Sequence, residues 1–401
     1  MAKILVVISS LKSGGAERTV SNLTMNFPKD WDIDILLNND KCIEYPYRGR
    51  ILSLGLEGKN DMSSLLFHFK LLSQRIIKLR KLKKTKQYDA CLSFMDSANI
   101  ANILSGNKYT KVIGSVRISV WKQGMDLPQY KYTIIPLIRF LYNRADSIVA
   151  VSPGIRKELV ESFGVREHKV TTIENGYDIF SLKQQANERW DTEDNWIKGK
   201  KLIVTAGRLS EQKGHWHLIR ACCEVCRENK DVVLLILGAG PLENYLKQLT
   251  VSLGIQDKVV LKGFVQNPHK YIAKADVFIM PSLYEGYPNA MAEAVCLGIP
   301  CIASDFQTGA REILAPDLVD DGKEINEVYP AQYGILTPVC SGKHYQGQEE
   351  LEPAEVKMTD AMNLLLQDEE KKKYYAAKSM ECSKNLGIES AIRKWVRLVC
   401  D

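Results

Sequence analysis

The sequence predicts an α/β protein made of two Rossmann-like domains, each built on a parallel sheet. Two runs of short apolar segments alternate with helical patterns, and such alternation is typical of parallel sheets covered by helices. The first run covers residues 1–183 and the second covers residues 201–380. Between them, residues 184–200 are polar and lack apolar periodicity, which indicates a linker. A chain of 401 residues is long enough for two full cores.

Composition and charge are those of an ordinary globular protein, with 45% hydrophobic residues, 25% charged residues and a net charge of +6. This mild charge excludes neither an anionic substrate nor an anionic membrane, and we expect no nucleic acid partner. Ten cysteines in so long a chain do not indicate a disulfide framework. We expect these cysteines, including the Cys223–Cys226 pair, to be small core residues, and we expect the protein to reside in a reducing compartment. No signal peptide and no apolar run of about 18 residues is visible, so we expect a cytoplasmic protein.

The first half begins with a strand, a glycine turn and a helix. The apolar runs that predict buried strands in this half are 4–8, 33–37, 88–94, 112–116 and 147–151. Gly14 and Gly15 lie between the first strand and a helix at 19–27, which is the start of a Rossmann-like unit. Two glycines let the backbone approach a ligand closely. The turn is not G-x-G-x-x-G, so it gives poor support for dinucleotide binding or a dehydrogenase.

The second half repeats the alternation. Its predicted strands are 202–206, 232–237, 259–261, 277–280, 299–303 and 333–336, and its last helices are 359–381 and 388–400. Arg208 and Lys213 lie five positions apart in the loop that follows strand 202–206 and enters a helix. Two cations beside free helix N–H groups suit a diphosphate. A solvated basic loop is the alternative.

Two acids flank a second helix start. Glu285 lies in the loop after strand 277–280, Pro288 opens the helix, and Glu293 lies inside it. On a helical path, eight positions would place the two acids about two turns apart on roughly one face. A helix N-terminus at the carboxyl end of a strand can bind the phosphates of a ligand through its free N–H groups. The two carboxylates would then accept hydrogen bonds from the sugar and ribose hydroxyl groups of the same ligand. Spacing alone favours a plain loop acid and an exposed helix acid.

The segment E-G-Y-P-N-A-M-A-E-A, residues 285–294, resembles the E-x7-E signature of retaining nucleotide-sugar glycosyltransferases of family four. The segments G-G-A-E-R at 14–18, G-R-x-x-x-x-K-G at 207–214 and N-G-Y-D at 175–178 resemble the same family. The resemblance covers nearly the whole chain. It implies the GT-B fold, with two Rossmann-like domains facing across a cleft and a C-terminal helix, 381–401, returning to the first domain.

The resemblance also implies roles for single residues. Arg208 and Lys213 would stabilise the leaving diphosphate, Glu285 would bind the donor sugar, and Glu293 would bind the ribose. The other implied donor-binding residues are Gly14, Gly15, Gly207, Gly263, Phe264, Gly286, Tyr287, Pro288 and Asn289.

Arg18 and Arg117 are the acceptor-side candidates in the first half. Arg117 follows strand 112–116, where the family often has a basic residue that faces the reacting groups. Arginine cannot act as a general base at neutral pH, so a charge-stabilising role is implied. For Arg18, a solvated helix residue is the alternative.

The implied reaction moves a hexose or N-acetylhexosamine from a UDP-sugar to a hydroxyl group of a lipid-linked glycan, with retention, in bacterial surface polysaccharide synthesis. We expect no cofactor and no metal, because two cations and a helix terminus would do the work of the metal. Asp32 and Asp34 form a D-x-D, which holds a metal in another class of glycosyltransferases, but we expect this pair on an exposed edge. The alternatives are a sugar-nucleotide epimerase of similar architecture and a nonenzymatic nucleotide-binding module.

Two segments raise the question of a membrane. The amphipathic helix at 65–86 has seven Lys or Arg between positions 75 and 86 and no acid. Such unmixed charge suits an anionic surface, at roughly 1 kcal/mol per basic residue, although a solvated helix is the alternative. The apolar segment 134–141 would be a buried crossover helix or rest among headgroups. A peripheral position on the inner face of the cell membrane is a further expectation.

Overall fold

The structure, a computed structural model, describes residues 1–12, 14–56, 65–106, 108–126, 128–306, 308–319 and 322–401. Their contacts divide the chain into two compact units. The first contains Met1–Gly176 and Ile388–Asp401, and the second contains Tyr177–Gly387.

The first unit is built on a parallel sheet. Its strands are β1 (Lys3–Val7), β2 (Asp32–Leu37), β3 (Arg50–Ser53), β4 (Ala90–Phe94), β5 (Lys111–Val116), β6 (Ser147–Ala150) and β7 (Val170–Thr172). Their order is β3-β2-β1-β4-β5-β6-β7 and every neighbouring pair is parallel. The order reverses between β1 and β4, and ligands of such sheets bind at the carboxyl ends of the strands beside this switch point.

Helices cover both faces of this sheet. They are α1 (Gly15–Asn26), α2 (Leu65–Lys86), α3 (Asp96–Leu104), α4 (Val120–Asp126), α5 (Pro128–Leu141) and α6 (Pro153–Glu161). On β1, Ile4 and Val6 belong to one buried cluster, whereas Leu5 and Val7 belong to another that contains Leu79 of α2. Because both faces of the strand are buried, its residues read as a continuous apolar run, and this is why the sequence predicted it.

The D-x-D pair does not lie on an exposed edge, so that expectation was wrong. β2 lies between β1 and β3, and the Asp34 side chain is 1% exposed. Its carboxylate accepts hydrogen bonds from Arg50 at 2.7 Å, from Lys86 at 2.8 Å and from the Tyr88 hydroxyl. Burial alone would raise the pKa of Asp34, but these donors hold it below its usual value. The carboxylate therefore forms a structural ion-pair cluster.

The second unit has a sheet of the same kind. Its strands are β8 (Lys201–Ala206), β9 (Val232–Leu237), β10 (Val259–Gly263), β11 (Val277–Met280), β12 (Cys301–Ser304), β13 (Tyr329–Pro330) and β14 (Ile335–Thr337). The order is β10-β9-β8-β11-β12-β14-β13, parallel except for the β13–β14 pair. The switch point lies between β8 and β11. Cys223 and Cys226 are in the core, as predicted.

The helices of the second unit are α7 (Ile179–Ala186), α8 (His215–Glu228), α9 (Glu243–Ser252), α10 (His269–Ile272), α11 (Asn289–Cys296), α12 (Ala310–Leu314), α13 (Pro353–Gln367) and α14 (Glu369–Ser383). Short 3-10 turns occur at Glu211–Lys213, Thr192–Ile197 and Pro316–Leu318 here, and at Tyr142–Arg144 and Glu167–Lys169 in the first unit. The single charged helix predicted at 359–381 was wrong, because the chain leaves the helix at Asp368. This aspartate is extended and accepts hydrogen bonds from the N–H groups of Glu370 and Lys371. Aspartate favours such a cap over a helix interior.

Residues 184–200 are part of the second unit and are not a free linker, so that interpretation was wrong. The segment contains the end of α7 and the 3-10 turn, and its polar side chains bond to α10. The Trp190 indole donates to the Lys270 carbonyl at 2.8 Å, and the Tyr271 hydroxyl donates to Asp191 and Asp194 at 2.7 and 2.6 Å. The segment looked like a linker because its polar groups are satisfied by partners distant in sequence.

The C-terminal helix, α15 (Ile388–Cys400), belongs to the first unit, whereas residues 381–387 belong to the second. Its apolar stripe is buried there: Trp395 is 1% exposed and its ring centroid lies 5.7 Å from that of Phe94. The chain therefore starts and ends in the same unit, as the sequence predicted.

Candidate active site

Two loops meet at the switch point of the second sheet, one after β8 and one after β11. Gly214 has φ +59°, and a Cβ atom there would lie 2.5 Å from the Pro281 carbonyl oxygen. Only glycine permits this backbone at so close an approach. The Leu283 N–H donates to the Gln212 carbonyl at 2.9 Å and joins the loops directly. Side chains from the two loops are thus brought to one place.

Lys213 and Glu285 form an ion pair across these loops. The Lys213 Nζ lies 2.5 Å from Glu285 Oε1, and their side chains are 18% and 8% exposed. The Ser282 hydroxyl donates to Oε1 at 2.8 Å, and the Gln212 amide donates to Oε2 at 3.2 Å. Desolvation offsets much of the attraction in such a buried pair, so it is weak evidence for a purely stabilising role. Both groups are held in one orientation by these contacts.

Arg208 lies in the same loop, directly after Gly207 at the end of β8. Its side chain is exposed and makes no hydrogen bond or ion pair with any residue within the described ranges. The Lys213 chain passes over Gly207, with Cε 3.1 Å from the position of an added Cβ atom. The loop therefore carries one cation held against an acid and another that extends into solvent.

Glu293 lies on α11, whereas Glu285 lies in the loop before it, so the idea of one shared helical face was wrong. The Glu293 Oε2 is 3.0 Å from His269 Nε2, and the His269 Nδ1 is 2.8 Å from the Gln185 side-chain oxygen. His269 is fully buried and the Glu293 side chain is 5% exposed. The second acid is thus oriented by a histidine of α10.

The remaining donor-site candidates line this edge. Gly286, Tyr287 and Pro288 are buried directly before α11, and the Asn289 side-chain oxygen accepts from the Tyr177 hydroxyl at 2.6 Å. At the end of β10, Gly263 has φ +76°. Phe264 follows it with its side chain 54% exposed. An exposed ring at the carboxyl end of a parallel strand is available for stacking.

The first unit holds the donor-side candidates Gly14 and Gly15 at the start of α1, and the acceptor-side candidates Arg18 on that helix and Arg117 after β5. Gly14 precedes this helix and Gly15 begins it. The Arg117 guanidinium donates to the Thr19 hydroxyl at 2.9 Å and to the Asn175 side-chain oxygen. The Arg18 guanidinium carbon lies 5.7 Å from the centre of the Tyr45 ring. The structure therefore joins Arg117 to the first turn of α1 and to the N-G-Y-D segment.

Glu17 folds back over the same helix start. A Cβ atom on Gly14 would lie 2.1 Å from Glu17 Oε2, so a larger residue there would make this carboxylate shift. Burial raises the pKa of Glu17 above its usual value. A raised pKa in the first turn of a helix that follows a sheet strand marks a group suited to binding or proton transfer.

Several residues of the candidate site were not found from the sequence. Those in direct contact with predicted residues are Thr19, Asn175, Gln212, His269, Ser282 and Thr308, and Gln185 contacts His269. Gln212 and Ser282 adjoin predicted loop residues, and this proximity was an available signal. His269 carried none, because a buried histidine on a short helix looks like a core residue.

Comparisons with known proteins agree with this architecture. The model of Glycosyltransferase Family 4 matches residues 13–179, and the model of Glycosyl transferases group 1 matches residues 186–322. An uncharacterised glycosyltransferase of Methanocaldococcus jannaschii is 32% identical over 86% of this chain and 87% of its own length. The N-acetylgalactosamine-N,N'-diacetylbacillosaminyl-diphospho-undecaprenol 4-alpha-N-acetylgalactosaminyltransferase of Campylobacter jejuni is 31% identical over 79% of this chain and 84% of its own.

Solved structures share the fold over the whole chain. HepE of Anabaena in complex with UDP and glucose superposes with a TM-score of 0.73 and 17% identity, covering 100% of this chain and 99% of that one. Sucrose-phosphate synthase of Thermosynechococcus elongatus gives a TM-score of 0.75 and 15% identity, covering 99% and 98%. At such identities the likeness concerns the fold. Taken with the family matches and the relatives, it shows that this chain belongs to glycosyltransferase family four and has the GT-B fold.

Proposed function

We propose that this glycosyltransferase moves a hexose or an N-acetylhexosamine from a UDP-sugar to a hydroxyl group of a lipid-linked glycan, with retention at the anomeric carbon. The contact between Lys213 and Glu285 carries the proposal, because it sets a cation and an acid side by side at a switch point. The Campylobacter relative is named for transfer to a diphospho-undecaprenol-linked acceptor, and HepE structures hold UDP and UDP-glucose. These names support the acceptor class and the donor class.

The chemical barrier in this reaction is departure of the diphosphate from a sugar that develops oxocarbenium character. The bond between the anomeric carbon and the phosphate oxygen breaks, and a bond to the acceptor oxygen forms as that hydroxyl loses its proton. Arg208 and Lys213 would stabilise the growing negative charge on the diphosphate, since preorganised cations act strongly where water is excluded. Glu285 would accept hydrogen bonds from the sugar hydroxyl groups and would still hold Lys213 in place.

The nucleoside would be bound by groups farther along the same edge. Glu293, oriented by His269, would accept hydrogen bonds from the ribose hydroxyl groups. The exposed ring of Phe264 would stack on the base. In the first unit, Arg117 and Arg18 would act on the acceptor side, where Arg117 supplies positive charge near the first turn of α1.

A panel of UDP-glucose, UDP-galactose, UDP-N-acetylglucosamine and UDP-N-acetylgalactosamine tests the donor class. Slow hydrolysis of one donor, with release of UDP and of a sugar whose first-formed anomer has the donor configuration by NMR, is the expected result. Release of the C2 epimer as free sugar would identify an epimerase. If no donor is hydrolysed and UDP does not raise the melting temperature, the proposed function is wrong.

A membrane surface is the second part of the proposal. None of the described helices is both long enough and apolar enough to cross a bilayer. On α5, Ile135 and Ile138 are buried, whereas Tyr132 and Phe140 are 75% and 67% exposed. The Arg144 guanidinium lies 4.6 Å from the centre of the Phe140 ring. Exposed aromatic rings beside cations are typical of helices that rest among anionic headgroups.

The cations of α2 are divided between the interior and the surface. Arg75 is buried, Lys83 donates to two backbone carbonyls, and Lys86 pairs with Asp34. Other cations of the run, including Lys81 and Lys84, remain exposed. The charge that this helix offers to a membrane is therefore smaller than the sequence indicated, and α5 has the better-defined membrane-facing surface.

Flotation with phosphatidylglycerol vesicles at low salt tests the membrane surface. Replacing Tyr132 and Phe140 together by serine should weaken vesicle binding at least about tenfold, since each buried aromatic ring contributes roughly 1.5–3 kcal/mol. Phe180, which is 73% exposed in the second unit, supplies the matched control as Phe180→Ser. Equal flotation of all three proteins would remove α5 from the proposal, and no flotation of the unmodified protein would end the membrane claim alone.

A further inference from the structure

A buried arginine joins three loops at the switch point of the first sheet. Arg75 of α2 is 1% exposed. Its Nη1 donates to the Ser97 hydroxyl at 2.9 Å, and its Nη2 donates to the Ser9 hydroxyl at 2.9 Å. Its Nε and Nη2 donate to the Asn38 side-chain oxygen at 3.0 and 2.7 Å. These four residues, Ser9, Asn38, Arg75 and Ser97, are called the Arg75 cluster below.

The charge of Arg75 has no carboxylate partner within the described residues. Every acceptor in the Arg75 cluster is a neutral oxygen, and no acid forms an ion pair with this guanidinium. Burial lowers the pKa of Arg75 to about 10, so it stays charged at neutral pH. An isolated buried charge is costly, and proteins usually pair one with an opposite charge. The protein therefore retains a cation whose counter-charge has yet to be supplied.

The three neutral partners of Arg75 are polarised by its charge and can donate hydrogen bonds to a ligand. Each serine oxygen accepts from Arg75, so its own O–H is left to donate elsewhere, and the same holds for the amide NH2 group of Asn38. Across the described ranges, none of these three groups donates to another protein atom. All three residues are half-buried, which leaves them accessible to a ligand. The Arg75 cluster thus offers three polarised donors, each following a different strand of the first sheet.

The position of the Arg75 cluster matches that of a ligand site. Ser9 follows β1, Asn38 follows β2, and Ser97 follows β4 in the first turn of α3. The carboxyl ends of β1 and β4 flank the switch point, where ligands of doubly wound sheets bind. The start of α3, a nine-residue helix, adds a partial positive charge at the same place.

We propose that the Arg75 cluster binds a phosphate or diphosphate group of the acceptor. This rests on the proposed function, and it adds the residues that recognise the phosphate groups of such an acceptor. Ser9, Asn38 and Ser97 contact the phosphate oxygens. Arg75 is a positioning residue that orients these donors and supplies the opposite charge from behind them. A phosphate fits better than a neutral sugar, because a sugar would leave the buried cation without a counter-charge.

Binding of inorganic pyrophosphate to the full chain tests the proposal by isothermal titration calorimetry. Saturating UDP fills the donor site first, so that Arg208 and Lys213 are occupied. We expect the unmodified protein to bind pyrophosphate under these conditions, and the double variant Ser9→Ala, Ser97→Ala to bind it at least tenfold more weakly. Ser73→Ala is the matched control, because this hydroxyl lies on α2 and donates to the Lys70 carbonyl. It should bind pyrophosphate as the unmodified protein does.

A second arm separates the sources of the anion. Farnesyl diphosphate binding more tightly than pyrophosphate assigns the site to a lipid-linked diphosphate, whereas equal affinities assign it to the phosphate groups alone. Arg75→Lys keeps the charge but not the forked geometry, and should weaken pyrophosphate binding while UDP affinity stays unchanged. The serine variants carry the test if Arg75 variants do not fold.

The two proposals fail in different ways. If UDP binds normally but pyrophosphate does not, or if the serine double variant binds pyrophosphate as well as the unmodified protein, the anion site is refuted and the donor site stands. If UDP does not bind to the unmodified protein, the proposed function itself is refuted.

Discussion

The two sheets share the same strand order around their switch points, yet these points carry opposite arrangements of charge. In the second unit, the buried acid Glu285 already lies 2.5 Å from the cation Lys213. In the first unit, the buried cation Arg75 is surrounded by neutral oxygens. The buried acid of one site is neutralised by a neighbouring lysine, whereas the buried cation of the other has no acidic partner among the described residues. A shared fold therefore sets where a ligand binds, whereas the side chains behind the loops set which charge it carries.

The difference follows from which elements supply the charged groups. Lys213 and Glu285 come from two adjacent loops, which are joined by the hydrogen bond from Leu283 to Gln212. Their ion pair preorganises both groups for a ligand that has hydroxyl groups and phosphates. Arg75 comes from helix α2 and is buried, so it cannot contact a ligand itself. It acts on the site through the side chains of Ser9, Asn38 and Ser97.

The largest expected effect comes from removing Lys213, one of the two cations of the second switch point. Lys213→Ala should lower the rate of donor hydrolysis or transfer at least about 10²-fold, because it removes a preorganised charge at the leaving group. Lys247→Ala is the control, since Lys247 pairs with Glu243 on the exposed face of α9 at 2.6 Å. Steady-state kinetics on both variants make the comparison. Near-full activity of Lys213→Ala would remove this lysine from the mechanism.

The next effect concerns how Glu293 is oriented. His269→Phe should raise the KM for the donor about tenfold to 10²-fold with little change in kcat, because a charge-assisted hydrogen bond to ribose is lost in ground state and transition state alike. A donor whose ribose lacks the 2′-hydroxyl should show the loss with the unmodified protein and little further loss with His269→Phe. Fully additive losses would mean that His269 does not act through Glu293.

A smaller effect is expected in the first unit. Arg117→Ala should slow transfer to an acceptor about tenfold while donor hydrolysis stays nearly unchanged, because its hydrogen bonds are to Thr19 and Asn175 within that unit. Measuring both rates on one preparation distinguishes the outcomes. A parallel fall in both rates would place Arg117 on the donor side and would weaken the division between the two switch points.

The pH dependence of the free energy of unfolding tests the environment of His215, which is buried near Lys213. Burial, followed by the charge of Lys213, lowers the pKa of His215 to about 3. The unfolded chain takes up a proton below pH 6.5 that the folded chain refuses until about pH 3, so stability falls as pH falls through this window. As the pH falls through this window, the free energy of unfolding of the unmodified protein should decrease by up to about 1.4 kcal/mol per pH unit more than that of His215→Gln. Urea unfolding at several pH values measures this, and parallel curves would contradict it.

No change is expected when divalent ions are removed. EDTA should leave the reaction rate unaltered, because Arg208 and Lys213 would stabilise the diphosphate without a metal. Activity that depends strictly on manganese or magnesium would contradict this assignment. It would also mean that the cations of the second switch point are not sufficient for its chemistry.

Much of the fold was predictable because the signals are local. Strands buried on both faces appear as short apolar runs, and the loops that carry Gly14, Arg208 and Glu285 follow them directly. The predicted strand at 277–280 coincides with β11, and the predicted start of α11 is displaced by one residue at most. The break at Asp368 was not predicted, because in the sequence an aspartate that caps a new helix looks the same as an acidic residue within a continuing helix.

The sequence by itself determined the order of strands and helices and the loops on which the candidate residues lie, because apolar periodicity and glycine turns depend on neighbours in the chain. Only the tertiary structure decided which side chains meet. It paired Lys213 with Glu285 and Glu293 with His269, and it turned Arg75 inward from a helix whose cations all look alike in sequence. Such pairings depend on the rotation and packing of each helix against its sheet, and no local pattern encodes them.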